Sequence, residues 1–239
     1  MPSHRVHALV GELVCGFSSE EVDNLVDRGP SHDLSRVSCR KLLSLASVIY
    51  EKYGDKGLCY LALHHYLDKL VSVMRGRIVK LMYGQRFDLL VREVAMGLWD
   101  EVSTLSVLTS HEHLLYLPED QLTAQAYFYR RTLQGGYTKQ TARRKADLLE
   151  ELARKCREDL ASIGGPSWWS DFEFRSFLER IRKGITSARA GVGGFGSLKK
   201  IMCILLAEDK QYWIRQLGQQ LYDKVIASLN CSGDSPKGI

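Results

Sequence analysis

A chain of 239 residues, 45% hydrophobic and 26% charged with a formal net charge of +5, holds enough apolar material for one large domain or two small ones. These fractions exclude a disordered, collagen-like or disulfide-scaffold chain, and no apolar run approaches the roughly 18 residues of a membrane span. The six cysteines (15, 39, 59, 156, 203 and 231) show neither CxxC nor zinc spacing, which fits free thiols in a reducing, cytoplasmic setting. The opening MPSHRVHALVGELVCGF is broken by Glu12 and has no small-residue cleavage site, so no secretory leader is expected.

Taken in chain order, the pattern predicts helices near 4–15, 19–28, 34–53, 57–83, 87–107, 119–133, 139–162, 171–188, 198–207 and 210–229. Ser18 with Glu21 and Ser170 with Glu173 fit a capping box, in which each side chain satisfies an orphan amide. Phe87, Leu90, Val91, Val94, Leu98, Val102 and Leu105 fall at three- and four-residue spacing, as do Phe174, Phe177, Leu178, Ile181 and Ile185. Gly29-Pro30, Gly54, Gly135-Gly136 and Gly164-Gly165-Pro166 read as helix stops. No alternating strand pattern stands out. The expected fold is therefore all-α, a multi-helix bundle divided as 1–84, 85–190 and 191–239, with a frayed polar tail over 230–239.

Few signals carry chemistry. The run Gly191 to Lys200 resembles a phosphate loop, but Ser197 stands where the lysine belongs and Leu198 where the magnesium-binding hydroxyl belongs. It reads better as a joint between helices. His64 and His65 point about 100° apart on a helix and cannot share a metal from one face, and His111 and His113 lack a completing Cys or carboxylate pair. Surface histidines and buried cysteines are the expectation, with no catalytic residue, metal or cofactor assigned. Trp168 and Trp169, interleaved with Arg175, Arg180, Arg182 and Lys183, offer either a base-stacking platform for nucleic acid or an interface anchor.

Two stretches repeat an order of features: an apolar helix, a Ser/Thr-x-x-Glu start (Ser18 to Glu21, Thr109 to Glu112), a basic cluster leading a Leu-Leu helix, and an aromatic-aliphatic helix. GFSSEEVDNLV and CRKLLSLASVIYEKYGDKGLCYLALHHYL in the first, and ARRKADLLEELARK and FRSFLERIRKG in the second, resemble the caspase-recruitment branch of the death-fold superfamily, in tandem over roughly 4–80 and 87–185. The resemblance implies six-helix units that act as adaptors by homotypic assembly.

Charge patterning points the same way. Glu20, Glu21, Asp23 and Asp27 give one helix an acidic face, while Arg40, Lys41, Arg143, Arg144 and Lys145 open basic helices. Opposite faces on one body favour head-to-tail contacts that propagate rather than close. Between Arg130 and Lys200 there are 16 Lys+Arg against 8 Asp+Glu, so the alternative is a helical nucleic-acid-binding protein. The partner is itself, a related helical domain, or nucleic acid.

Overall fold

A computed structural model describes residues 2–28, 37–81, 95, 97–133, 138–164, 172–229 and 231. The protein is all-α: the described residues form ten α-helices and two 3-10 turns, with no strand. The helices are α1 (His4–Cys15), α2 (Glu20–Asp27), α3 (Cys39–Leu81), α4 (Thr104–Thr109), α5 (Glu119–Leu133), α6 (Lys139–Gly164), α7 (Phe172–Val192), α8 (Phe195–Glu208), α9 (Lys210–Leu217) and α10 (Gln219–Leu229). No single helix among the described residues is long and apolar enough to cross a membrane.

Several ends fall where the sequence puts them, and others do not. Gly54 breaks α3 with φ 61° and ψ −151°, a conformation that glycine reaches without a Cβ clash. The expected stretch 210–229 is likewise interrupted at Gly218 (φ 76°). Ser19, not Ser18, caps α2 by accepting from the Val22 amide (3.4 Å), while Ser18 donates to Glu12 (2.7 Å). The expected helix 87–107 does not run through its C-terminal part. Residues 101–103 leave the helix, and Ser103 starts α4 with a reciprocal cap to Ser106 (3.2 and 2.9 Å). Two amides satisfied at once make a new start better there than continuation. Thr109 ends α4, donating to the Leu105 carbonyl (2.8 Å), so it does not cap a following helix. Ser170 and most of 87–97 lie outside the described residues.

The chain divides into two compact units, and the division is not sequential as expected. Unit 1 takes residues 1–24, 53–100 and 184–239; unit 2 takes 25–52 and 101–183. In unit 1, Val6 and Val10 of α1, Leu63, Leu67, Leu70 and Met74 of α3, Ile201 and Leu205 of α8, and Val225 of α10 bury together around Trp213. The Trp213 indole donates to the Leu205 carbonyl (2.8 Å) and the Tyr222 hydroxyl to that of Leu206 (3.1 Å), so the large aromatic bodies are buried with their polar tips satisfied.

In unit 2, α5 and α6 pair as a hairpin. Buried Ala142, Ala146, Leu149, Ala153, Cys156 and Leu160 form one stripe of α6, and α5 buries Leu122 and Ala126. Hydrogen bonds from Thr123 to Glu150 (2.9 Å) and from Arg154 to Glu119 (2.7 Å) fix an antiparallel register. Phe174, Leu178 and Ile181 of α7 are buried as their spacing predicts.

The cysteines depart from the expectation most. All six pair: Cys15–Cys59 and Cys203–Cys231 in unit 1, Cys39–Cys156 in unit 2, with Cα separations of 6.0, 5.6 and 5.0 Å. These separations are normal for a disulfide. Sequence spacing hid them because every partner is at least 28 residues away. Cys231 is thus tied to Cys203 within the stretch expected to fray; the rest of 230–239 lies outside the described residues.

Candidate functional site

The expected acidic face is smaller than its sequence suggests. Glu20 and Glu21 are exposed on the first turn of α2, and Glu21 accepts from the Tyr53 hydroxyl (2.7 Å). Asp27 is half-buried. Asp23 is only 1% exposed. It lies on the same face of α2 as buried Val22 and Val26, so the helical period turns it inward. The surface role expected for Asp23 is therefore corrected to an internal one.

The basic residues divide. Arg40 and Lys41 are exposed at the start of α3; Arg143 and Arg144 are exposed on α6, with Lys145 half-buried. Arg143 lies 3.8 Å from Asp147 on the same helix, and both are solvent-exposed, a contact of little energetic weight. On α7, Arg180 donates to the Tyr50 hydroxyl and stacks 4.9 Å over its ring. Arg182 donates to the Thr109 carbonyl from two nitrogens (3.2 and 2.9 Å) and pairs with Glu112 (2.6 Å) and Glu179. Its pKa is raised, burial opposing the charge while Glu112 and Glu179 favour it. The Arg175 guanidinium lies 5.9 Å from the Tyr116 ring centre, and Lys183 is exposed. Arg180 remains exposed while it contacts Tyr50, whereas Arg182 is part-buried and engaged within unit 2. Trp168 and Trp169 lie outside the described residues.

A basic and aromatic surface instead gathers at the loop end of the α5–α6 hairpin. From Gln121 to Ala146 the sequence has six Lys+Arg and no Asp or Glu. Tyr127 and Phe128 are 56% and 66% exposed, and the Arg130 guanidinium sits 5.5 Å from the Tyr127 ring centre. The antiparallel register brings Arg130 level with Arg143. Tyr127 and Phe128 sit within a helical pattern whose exposed side only the packing of α5 on α6 defines.

A second feature lies inside unit 1 and was missed. His64 and His65 are buried rather than on the surface (0% and 5% exposed). The His64 ring stacks on that of His7 of α1 with centroids 4.1 Å apart and planes within 7°. Asp68, one turn beyond His64, brings Oδ2 to 3.7 Å from His64 Nε2 and Oδ1 to 3.6 Å from His7 Nε2. Asp23 closes the group: Oδ1 is 2.8 Å from His64 Nδ1, and Oδ2 accepts from the Tyr60 hydroxyl (2.9 Å). Burial, then the Asp23 charge and hydrogen bond, push the Tyr60 phenol far above its ordinary range. With a carboxylate oxygen as acceptor, His64 donates from Nδ1, and in that tautomer a neutral ring carries its lone pair on Nε2. The spacing of His64 and Asp68, four apart on one helix face, was the signal available in the sequence; His7 lies too far along the chain to be joined to them by pattern.

The glycine run is a joint. α7 continues through Gly191 to Val192, and only Gly193 and Gly194 separate it from α8. A Cβ on Gly191 would stand 2.6 Å from Val14 Cγ1, so close packing against α1 explains that glycine without a phosphate.

No family model, curated protein or solved structure matches this chain.

Proposed function

We propose that the protein is a noncatalytic helical interaction protein that binds an acidic partner face through the loop end of its α5–α6 hairpin. The observation that carries this reading is the acid-free run Gln121–Ala146 with exposed Tyr127 and Phe128 beside Arg130, Arg131, Arg143 and Arg144. Aromatic and arginine side chains together are the usual anchors of protein interfaces. A second copy supplies complementary charge at Glu20 and Glu21, and the likeness to caspase-recruitment units supports such homotypic assembly. Three disulfides favour an oxidising compartment over the cytoplasm.

Light scattering tests the homotypic mode. Glu20→Lys/Glu21→Lys should abolish salt-sensitive association, and adding Arg143→Glu/Arg144→Glu should restore it. A monomer that ignores salt at high concentration would end this proposal.

The same exposed aromatics beside cations also favour a second reading, single-stranded nucleic acid. A gel-shift assay with single-stranded RNA at two salt concentrations separates the two, since phosphate binding weakens steeply with salt. Absence of a shift at low salt removes it.

A further inference from the structure

We infer that His7, His64 and Asp68 form a binding site for a divalent transition metal of the zinc class inside unit 1. The donor set is two imidazole nitrogens and one carboxylate oxygen, the chemistry zinc takes and calcium or magnesium does not. All three ligand atoms lie within 4.8 Å of one another. A tetrahedral zinc with bonds of about 2.0–2.1 Å has ligand atoms about 3.3–3.4 Å apart. The two histidine-to-Asp68 contacts, 3.6 and 3.7 Å, run to different carboxylate oxygens, and the His7 and His64 rings lie stacked with parallel planes. Binding therefore requires the His7 ring, which no hydrogen bond holds, to turn until its lone pair and that of His64 meet at one ion.

Two independent features support metal over a plain polar cluster. His7 is wholly buried, and neither of its ring nitrogens makes a hydrogen bond. A buried polar group in that state costs free energy, and coordination through Nε2 removes much of that cost. The Asp23 carboxylate on His64 Nδ1 is the outer partner that metal-bound histidines normally have; it fixes the tautomer and aims Nε2 at the metal. The scaffold is also braced. Cys15–Cys59 joins the same two helices, α1 and α3, that bear the ligands, so the ligands are held on rigid, cross-linked elements. Three protein ligands leave a fourth position for water, with the Asp68 side chain, 12% exposed, on the solvent side.

The test uses the full chain with its disulfides intact, stripped with a chelator and then titrated with cobalt(II) and, separately, zinc chloride. Expected are one saturable equivalent and the visible absorption of tetrahedral cobalt. His7→Gln and Asp68→Asn, checked for helicity by circular dichroism, should lose that absorption. Asp23→Asn should weaken binding by about 10–100-fold, and His113→Gln should leave it unchanged. No saturable cobalt absorption in the parent protein overturns the inference whatever the variants do. Binding retained in a folded His7→Gln or Asp68→Asn protein overturns it as well.

Discussion

Opening the Cys39–Cys156 bridge is the most informative single perturbation of unit 2. The bridge spans 117 residues, against 44 for Cys15–Cys59 and 28 for Cys203–Cys231. In the chain-entropy treatment, closing a loop of that length restricts the unfolded chain by about 5 kcal/mol, compared with about 4 and about 3.6 for the shorter loops. The first two loops share residues 39–59, so their effects do not add. A whole domain is typically stable by only about 5–15 kcal/mol, so this bridge represents a large part of the margin. Both sulfurs belong to side chains at most 2% exposed, which makes Cys39→Ala/Cys156→Ala the cleanest variant. Non-reducing urea denaturation followed by circular dichroism should show a marked fall in the unfolding midpoint, with folded helicity kept. An unchanged midpoint would refute the loop argument. Six titratable thiols in the denatured, unreduced parent would refute the bridges themselves.

Three further expectations concern single side chains. Trp213→Ala should cost about 3–5 kcal/mol in urea titration, because it removes a wholly buried side chain from the unit 1 core; Trp213→Phe should cost less, since it keeps an aromatic ring and loses only the bond to Leu205 and part of the volume. Burial, then the Asp23 charge, raises the Tyr60 phenol above its ordinary range, so its contribution is complete below the unfolded value and is lost as pH climbs above about 10. Melting points measured from neutral to strongly alkaline pH should therefore fall less steeply in Tyr60→Phe than in the parent, and equal slopes would count against the buried phenol. Arg182→Ala should destabilise unit 2 by about 1–2 kcal/mol, because it removes charge-assisted bonds to a carbonyl and two carboxylates; a neutral thermal shift would show that those contacts are not formed in solution.

What was legible in the sequence was local. The amphipathic period located α1, α2, α5, α6 and α7 to within a few residues, and Gly54 marked its break, because each depends on neighbours within one or two turns. Local pattern did not separate two adjacent hydroxyls: Ser19 caps α2 while Ser18 donates to Glu12. The pairing of Cys39 with Cys156, the inward face of Asp23 and the approach of His7 to Asp68 join positions dozens of residues apart. No periodicity encodes such long-range encounters. Charge misled for the same reason: Asp23 and Arg182 look like surface residues by type, yet each finds a partner that only tertiary packing supplies.

The interleaving of the two units bears on how the protein is made. Unit 2 has all its residues once the nascent chain has reached position 183, whereas unit 1 must wait for 184–239, the stretch that carries Ile201, Leu205, Trp213 and Val225. Until that last stretch leaves the ribosome, α1 and the second half of α3 hold apolar faces with nothing to close over them. A premature stop codon near residue 190 would therefore spare one half of the protein and deprive the other of its interior.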